Sequence, residues 1–594
     1  MPAQETFPNL VTMFFARAAA KGDRPFLWTK KNGAWEALSW AEVAGQVAAL
    51  ASALKAEGLR PGDPVMLVSE NRPEFCIADL AIMAAGCVTV PTYTTNTTRD
   101  HQHILTDSGA RAVIVSTAKL AATLMPAVVR SQACLVISME QMRAAQGDNI
   151  RCKEWASLIA QPGDIAACVE VQTASRDDLA CIIYTSGTGG APRGVMQHHG
   201  SILCNVEGAN ALLAEDFGVG EEVFLSFLPL SHAYEHTGGQ FLPILCGGQI
   251  YYAEGLEKLA ANIEEVRPTI MVVVPRLFEV LRTRVIKAVE KQGKLPAFLL
   301  GQALRIGAKH MAGRRSVLDL PVKALVDRTI RPKVVKRFGG RMKAMVSGGA
   351  PLNPDVGVFF QSLGVTLLQG YGQTEAGPVI SCNRPKAGIA MDTVGPPLAG
   401  VEVKVAEDGE LLVRGELVMK GYWRNPAETE RVLEGGWLHT GDIGEIDDRG
   451  RIRITDRKKD LIVNDKGENV APQKIEGMLT LQPEIGQAMV AGDRRPHLVG
   501  LLVPDAEWTK EWARGKGIET DPAMLAANAD YLAALRAAVD RVNADLSVTE
   551  RVRRFILADE PFTIANAEMT PSMKIRRHVI RARYQDRLDA LYKS

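Results

Sequence analysis

The sequence has almost no net charge, no paired cysteine motif and no long apolar run. Its 594 residues include 69 Lys and Arg against 68 Asp and Glu, a formal net charge of +1 at pH 7. That balance supplies no global attraction to nucleic acid. The nine cysteines are scattered, without a C-x-x-C spacing. An odd count with no framework points to reduced thiols in a cytosolic protein. No window approaches the ~18 consecutive apolar residues of a membrane span. The first residues lack the basic and apolar regions of a secretory signal, and Leu591-Tyr-Lys-Ser594 is not a peroxisomal tripeptide. No internal repeat or low-complexity tract stands out. These absences lead to the expectation of a cytoplasmic protein.

What is present is ordinary globular composition, 46% hydrophobic and 23% charged, over a length that allows several domains. Helical and strand patterns alternate through the first 370 residues. Ser39-Trp-Ala-Glu42 reads as a capping box opening a helix with apolar Val43, Val47, Leu50 and Leu54, closed near Gly58. Apolar runs at Val65–Val68, Ala112–Val115, Leu135–Ile137, Val223–Phe227 and Ile270–Val274 read as buried strands. The pattern predicts α/β subdomains built on parallel sheets, with ligands at the C-terminal ends of the strands. From about residue 400, short alternating segments such as Val401–Val405 and Glu410–Arg414, separated by glycine turns, predict a small antiparallel sheet or β-barrel. A charged segment, Asp456-Arg-Lys-Lys-Asp460, divides this texture from a last mixed α+β region.

The segment richest in chemistry is Tyr184-Thr-Ser-Gly-Thr-Gly-Gly-Ala-Pro-Arg-Gly-Val195, which follows the apolar run Leu179–Ile183. Glycines let a backbone approach an anion, and free N–H groups and hydroxyls then solvate it. No Gly-Lys-Ser/Thr closes the loop, so it is not a Walker A loop. Pro192 stands where the third glycine of Gly-x-Gly-x-x-Gly would fall, which excludes a dinucleotide fingerprint. Further along come Ser347-Gly-Gly-Ala-Pro351, Gln369-Gly-Tyr-Gly-Gln-Thr-Glu375, Glu416-Leu-Val-Met-Lys-Gly-Tyr-Trp423, Trp437-Leu-His-Thr-Gly-Asp442, Thr455-Asp-Arg-Lys-Lys-Asp-Leu461, Lys466-Gly-Glu-Asn469 and Thr570-Pro-Ser-Met-Lys574. In this order the segments resemble the motifs of the adenylate-forming superfamily, which includes acyl-CoA synthetases, luciferases and nonribosomal peptide adenylation domains. The resemblance runs from about residue 10 to 580. Pro229-Leu-Ser-His-Ala-Tyr-Glu235, Asp456–Asp460 and Gly467-Glu-Asn-Val-Ala-Pro472 are similar to the long-chain fatty acyl-CoA synthetase branch, as is the long segment 285–340.

The resemblance implies a site. ATP would be held by Thr185, Ser186, Gly187, Thr188, Gly189 and Arg193, by Gly349, Ala350 and Pro351 at the adenine, and by Gly370, Tyr371, Gly372, Gln373 and Thr374, with Tyr371 stacked on the base and Thr374 at the α-phosphate. Glu375 and Thr185 would hold magnesium, an ion that takes oxygen ligands. Asp442 would accept from the ribose hydroxyls, as an acceptor-only carboxylate does. Arg457 would reach ribose and phosphate, and Lys574 would be the adenylation lysine. Lys466, Gly467 and Glu468 would lie beside CoA, and Lys459 would be the hinge between an N-terminal domain (1–456) and a mobile C-terminal domain (457–594). Two positions depart from the family pattern. Gly189 stands where most relatives have a second Thr, and Arg193 where most have Lys, which replaces a point charge by a fork.

The resemblance places His232, Tyr234, Gly238 and Gly239 at the acyl pocket, with His232 near the carboxylate or thioester. The glycine pair would leave side-chain-free room for a methylene chain. His232 and His236 do not have the zinc-protease spacing, because Ala233 stands where a Glu is needed. The implied activity is conversion of a long-chain fatty acid to acyl-AMP and then acyl-CoA, with ATP, Mg2+ and CoA. A fatty acyl-AMP ligase serving a carrier protein, or a CoA ligase for medium-chain or aromatic acids, is the alternative. Residues 301–343 hold twelve Lys/Arg against Asp319 and Asp327. That excess allows a peripheral contact with anionic lipid at the inner membrane face, or with CoA phosphates; a solvated face is the plainer reading. No oligomeric state follows from the sequence.

Overall fold

Ser39 starts the helix Trp40–Ala56: its hydroxyl accepts from the Glu42 N–H, while the Glu42 carboxylate accepts from the Ser39 N–H. Two of the four orphan donors of that helix end are thereby satisfied. Its apolar face packs into the largest core, where the Phe26 and Trp40 rings stack with centroids 3.6 Å apart. The computed structural model describes residues 5–142, 150–170, 173–185, 192–311, 313–314, 316–570 and 574–593.

Two eight-stranded sheets carry the first part of the chain. One runs Gly421–Tyr422, Arg193–His198, Leu179–Thr185, Val88–Thr92, Pro64–Val68, Ala112–Val115, Leu135–Ser138, Arg151–Glu154. The other runs Val379–Cys382, Leu367–Gly372, Ala344–Ser347, Ile270–Val273, Val223–Ser226, Gln249–Tyr252, Pro25–Lys31, Ala34–Ser39. Neighbours are parallel through the middle of each sheet; the second sheet has an antiparallel strand at each edge, and the first is antiparallel at the Gly421–Tyr422 edge and parallel at the Arg151–Glu154 edge. The central parallel strands Pro64–Val68, Ala112–Val115 and Ile270–Val273 are buried along their whole length. A strand covered on both faces must read as a continuous apolar run.

A third, antiparallel sheet follows, with Glu402–Val405, Glu410–Arg414, Trp437–Ile446 and Leu433–Glu434 in order and Ile452–Arg457 paired to Trp437–Ile446. It stays open: among the described residues no ladder joins its outer strands, so of the two expected forms it is the antiparallel sheet and not the closed barrel. Lys459 is exposed in the turn that leaves Ile452–Arg457. Beyond it lie the short pair Ile462–Val463 and Asn469–Val470, then a three-stranded sheet of Ile485–Ala491, Leu498–Pro504 and Val552–Leu557 covered by helices, with its own apolar cores.

The basic segment is helical, in Lys294–Met311, Leu320–Thr329 and Arg331–Arg337. Among the described residues no helix is long and apolar enough to cross a membrane.

Candidate active site

The strands that bear the motif residues end on one side of their sheets. Thr185 is the last residue of Leu179–Thr185, and Ser347 the last of Ala344–Ser347. Loops at the C-terminal ends of parallel strands are where an open α/β sheet gathers ligands. Ser186, Gly187, Thr188 and Gly189 lie outside the described residues.

At the second loop, the Gly348 N–H donates to the Val273 carbonyl (3.1 Å). A Cβ at Gly348 would stand 2.8 Å from Cζ of Tyr234, so the Tyr234 ring leaves room for glycine alone. The Tyr234 hydroxyl donates to the Val346 carbonyl at 2.8 Å. Gly349 turns the chain at φ +81°, and Ala350 and Pro351 are exposed beside it.

Strand Leu367–Gly372 brings up Gly370, Tyr371 and Gly372, all half-buried. A Cβ at Gly372 would overlap the Pro378 carbonyl, so glycine is required there. Gln373 keeps a buried Nε2 without a partner, and the Thr374 carbonyl accepts from Gln197 Nε2 at 2.8 Å. The Tyr371 hydroxyl donates to Oδ2 of Asp442 at 2.7 Å, and Arg457 Nε lies 3.2 Å from Oδ1 of the same carboxylate. Asp442 and Arg457 face each other because Trp437–Ile446 and Ile452–Arg457 pair them directly. Burial works against the Arg457 charge, yet Asp442 and Asp460 hold its pKa above the ordinary value.

Lys574 reaches the same place from the last segment of the chain. Its loop is closed by Thr570, whose N–H donates to the Lys574 carbonyl (2.8 Å) and whose Oγ1 accepts from the Lys574 N–H (3.1 Å). Burial lowers the ammonium pKa to about 8, and Arg457 adds to that; Asp442 and Glu375 oppose it. Burial, and then the Lys574 charge, press the pKa of His232 down to about 4, so the lysine stands within electrostatic reach of the histidine. His232 Nδ1 accepts from the Tyr234 N–H, and the residue is half-buried. Tyr371, Glu375, Asp442, Arg457, Lys574 and His232 thus form one electrostatic cluster.

Other residues lie elsewhere or act otherwise. Lys466, Gly467 and Glu468 form an exposed turn around Asn464, whose Oδ1 accepts from the N–H groups of Lys466 and Glu468, both at 2.9 Å. No ion pair or hydrogen bond among the described residues joins them to Lys574. The Arg193 guanidinium pairs with Glu428 and lies with Cζ 4.5 Å over the Tyr422 ring. His236 turns away from His232 into the core, where its Nε2 meets Oδ2 of Asp79 at 2.9 Å. The side-chain-free room expected at the glycine pair is filled. A Cβ at Gly238 would meet Val272 Cγ2 at 2.9 Å, and one at Gly239 would meet the Glu235 carboxyl. Glu235 itself is buried, with Oε2 unpartnered, and burial raises its pKa to about 8.

Two groups escape the sequence reading. The Tyr422 hydroxyl donates to Glu375 Oε1 at 2.8 Å, although 47 residues separate them. Its Gly-Tyr-Trp setting was the one available signal. Glu235 carries none, since a lone glutamate reads as surface.

The sequence profile of the AMP-binding enzyme family matches residues 14–423, and that of the AMP-binding enzyme C-terminal domain matches residues 459–594. The chain belongs to the AMP-binding enzyme family. Among AMP-binding enzymes it is 33% identical over 598 residues to the long-chain-fatty-acid–CoA ligase FadD15 of Mycobacterium tuberculosis, a match covering 98% of this chain and 97% of that protein. It is 30% identical to the peroxisomal long chain acyl-CoA synthetase 7 of Arabidopsis thaliana, over 94% of this chain and 82% of that one. Its fold is similar to the adenylation domain of a carboxylate reductase from Mycobacterium chelonae, with TM-score 0.77, 23% identity, and coverage of 99% of this chain and 92% of that domain.

Proposed function

We propose that this AMP-binding enzyme activates long-chain fatty acids with ATP to acyl-AMP and transfers the acyl group to CoA. The observation that carries the reading is the convergence of Lys574, Arg457, Asp442, Tyr371 and Glu375 at the ends of the sheets, beside His232. Similarity to curated long-chain-fatty-acid–CoA ligases along nearly the whole chain supports the substrate class.

Glu375 and Thr185 are hard oxygen donors and fit a magnesium ion carried on ATP phosphates. When bound, that ion supplies charge neutralisation at the phosphates. The chain's own residues do the rest. Tyr371 offers its ring to adenine, and Asp442, already held by Tyr371 and Arg457, accepts from the ribose hydroxyls. The fatty carboxylate enters beside His232, which burial keeps neutral, so the carboxylate is not captured in an ion pair there. In-line attack of a carboxylate oxygen on the α-phosphorus forms the mixed anhydride, and the bond to pyrophosphate breaks. Lys574, mostly charged at pH 7, bridges the reacting groups. This is electrostatic preorganisation, with little covalent work for the protein. The thiol of CoA then attacks the acyl carbon and AMP leaves.

For that second step we read residues 457–594 as a domain that turns about Lys459. Such a turn withdraws Lys574 and brings Lys466–Glu468 to CoA, a gating motion of the hinge type. Product analysis with CoA present tests the reading against a fatty acyl-AMP ligase: thioester must accumulate, and acyl-AMP alone would point to a carrier-protein acceptor.

A contact with anionic lipid through residues 301–343 belongs to the same reading. Leu295 and Phe298, in the helix Lys294–Met311 that leads into the segment, and Leu318, Leu320 and Leu325, around its second helix, are 46–89% exposed. Arg314, Lys323 and Arg328 stand near them without an ion pair among the described residues. Apolar prongs set among free cations suit a surface of anionic headgroups over acyl chains, where a long-chain acid resides.

A further inference from the structure

The carboxylate of Glu375 is held by a side chain that the superfamily motifs leave without a chemical role. Tyr422 is buried, 5% exposed, and its hydroxyl donates to Glu375 Oε1 at 2.8 Å.

The ring is held by its strand, its hydroxyl and a guanidinium over one face. Strand Gly421–Tyr422 pairs with Arg193–His198, placing Tyr422 opposite Val195. The Tyr422 N–H donates to Thr429 Oγ1 at 2.9 Å, and the Trp423 N–H to the Gly194 carbonyl at 2.7 Å. Arg193 lies over the ring, its guanidinium anchored by Glu428, which also takes two bonds from Arg431 at 2.7 and 2.8 Å. A planar fork can pair with a carboxylate while stacking on a phenol; an ammonium cannot do both in this way. The backbone of the Glu375 turn is tied to the same strands. The Met419 N–H donates to the Glu375 carbonyl at 2.9 Å, and Gln197 Nε2 to that of Thr374 at 2.8 Å.

We propose that Tyr422 is the positioning residue of Glu375: clamped between Arg193 and the carboxylate, it holds Oε1 by hydrogen bond and so presets the carboxylate orientation in which the divalent ion of the nucleotide is bound. Arg193 then serves in this chain as the clamp of that tyrosine. The inference rests on the reading of Glu375 as a metal ligand. Partners that orient a ligating carboxylate typically govern metal affinity by about 10–100-fold.

The test measures binding, separately from turnover. Mn2+ is titrated by electron paramagnetic resonance into the full-length protein saturated with α,β-methylene-ATP, for the unsubstituted chain, Tyr422→Phe, Arg193→Lys and Glu375→Gln. Tyr422→Phe keeps the ring under Arg193 and removes only the donor. It is expected to weaken Mn2+ binding about tenfold or more, with metal-free nucleotide binding and the unfolding midpoint unchanged. Arg193→Lys, which loosens the ring while leaving the hydroxyl, is expected to give a smaller loss, and it carries the test should Tyr422→Phe not fold. Mn2+ affinity unchanged in both, with Glu375→Gln weakened, overturns the role of Tyr422 and leaves Glu375 as ligand. Affinity unchanged in Glu375→Gln as well overturns the reading beneath it.

Discussion

The Tyr371 hydroxyl donates to Oδ2 of Asp442 at 2.7 Å, across 71 residues of chain. With Arg457 at Oδ1, this bond fixes a carboxylate that is 5% exposed, so its acceptor sites are aimed before nucleotide arrives. Asp442→Asn keeps the shape, halves the acceptor capacity and removes the charge. Loss of hydrogen bonds to a charged group costs about 1.5–3 kcal/mol. ATP affinity is therefore expected to fall about 10–100-fold, as measured by calorimetry, with the order of preference among fatty acids unchanged.

Lys574→Ala is expected to slow acyl-AMP formation by about 2.7–4 kcal/mol in barrier, the cost of losing one transition-state contact. Thioester formation from supplied acyl-AMP should be spared, because under the proposed turn about Lys459 that step proceeds with Lys574 withdrawn. Quenched-flow measurement of each half separately decides this; an equal loss in both halves contradicts the alternation about Lys459.

The ammonium of Lys574 loses its proton near pH 8, well below an ordinary lysine, because it is buried beside Arg457. In the proposed mechanism the charged form is the active one. The pyrophosphate-release kcat/KM for ATP is therefore expected to be flat below about pH 8 and to fall above it, since kcat/KM reports the free enzyme. Lys574→Arg should move that limb to higher pH.

Glu235 fills the space beside Gly239, so Gly239→Ala is expected to overpack the core and cost about 1–3 kcal/mol of stability. The Glu235 carboxyl gives a pH signature as well. Its folded pKa, about 8, lies above the ordinary 4.5, so the folded state holds the proton more tightly than the unfolded state. Stability from this group is full below pH 4.5 and is lost as pH rises toward 8, at a slope of at most about 1.4 kcal/mol per unit. Glu235→Gln removes that dependence. Thermal unfolding of both proteins at pH 5 and pH 8 should show the substitution gaining relative stability at the higher pH.

Leu318→Ser combined with Phe298→Ser removes two exposed apolar side chains without touching the cluster around Lys574. Flotation with phosphatidylglycerol vesicles is expected to drop several-fold, with turnover of detergent-dispersed acid retained. Unchanged flotation excludes this surface as the contact.

Much of the fold is legible in the sequence because strands buried on both faces leave an unmistakable apolar run, as at Leu179–Ile183 and Ile270–Val274. Strand Leu367–Gly372 continues beyond its apolar start through Gly370, Tyr371 and Gly372, which pair with Val379–Cys382. Glycine and polar residues at a site have no apolar period to reveal that pairing. The motif residues at the cluster are legible too, since each sits in a local pattern. Contacts between motifs are not: Tyr422 meets Glu375, and Arg193 meets Glu428, only through the packing of segments far apart in the chain. The glycine pair misleads for the same reason. Gly238 and Gly239 lack side chains of their own, but Val272 and Glu235 occupy the room, and no local signal announces a neighbour.

The central claim is that this chain couples ATP cleavage to long acyl chains and hands them to CoA. Pyrophosphate release and CoA-thioester formation, followed together for saturated acids from acetate to stearate and for benzoate, test it most directly. Each buried methylene contributes about 0.8 kcal/mol, so kcat/KM is expected to climb with chain length until the pocket ends, with thioester and pyrophosphate in equal amounts. Highest activity on acetate or benzoate, with no gain from added methylenes, or pyrophosphate without thioester, would contradict it.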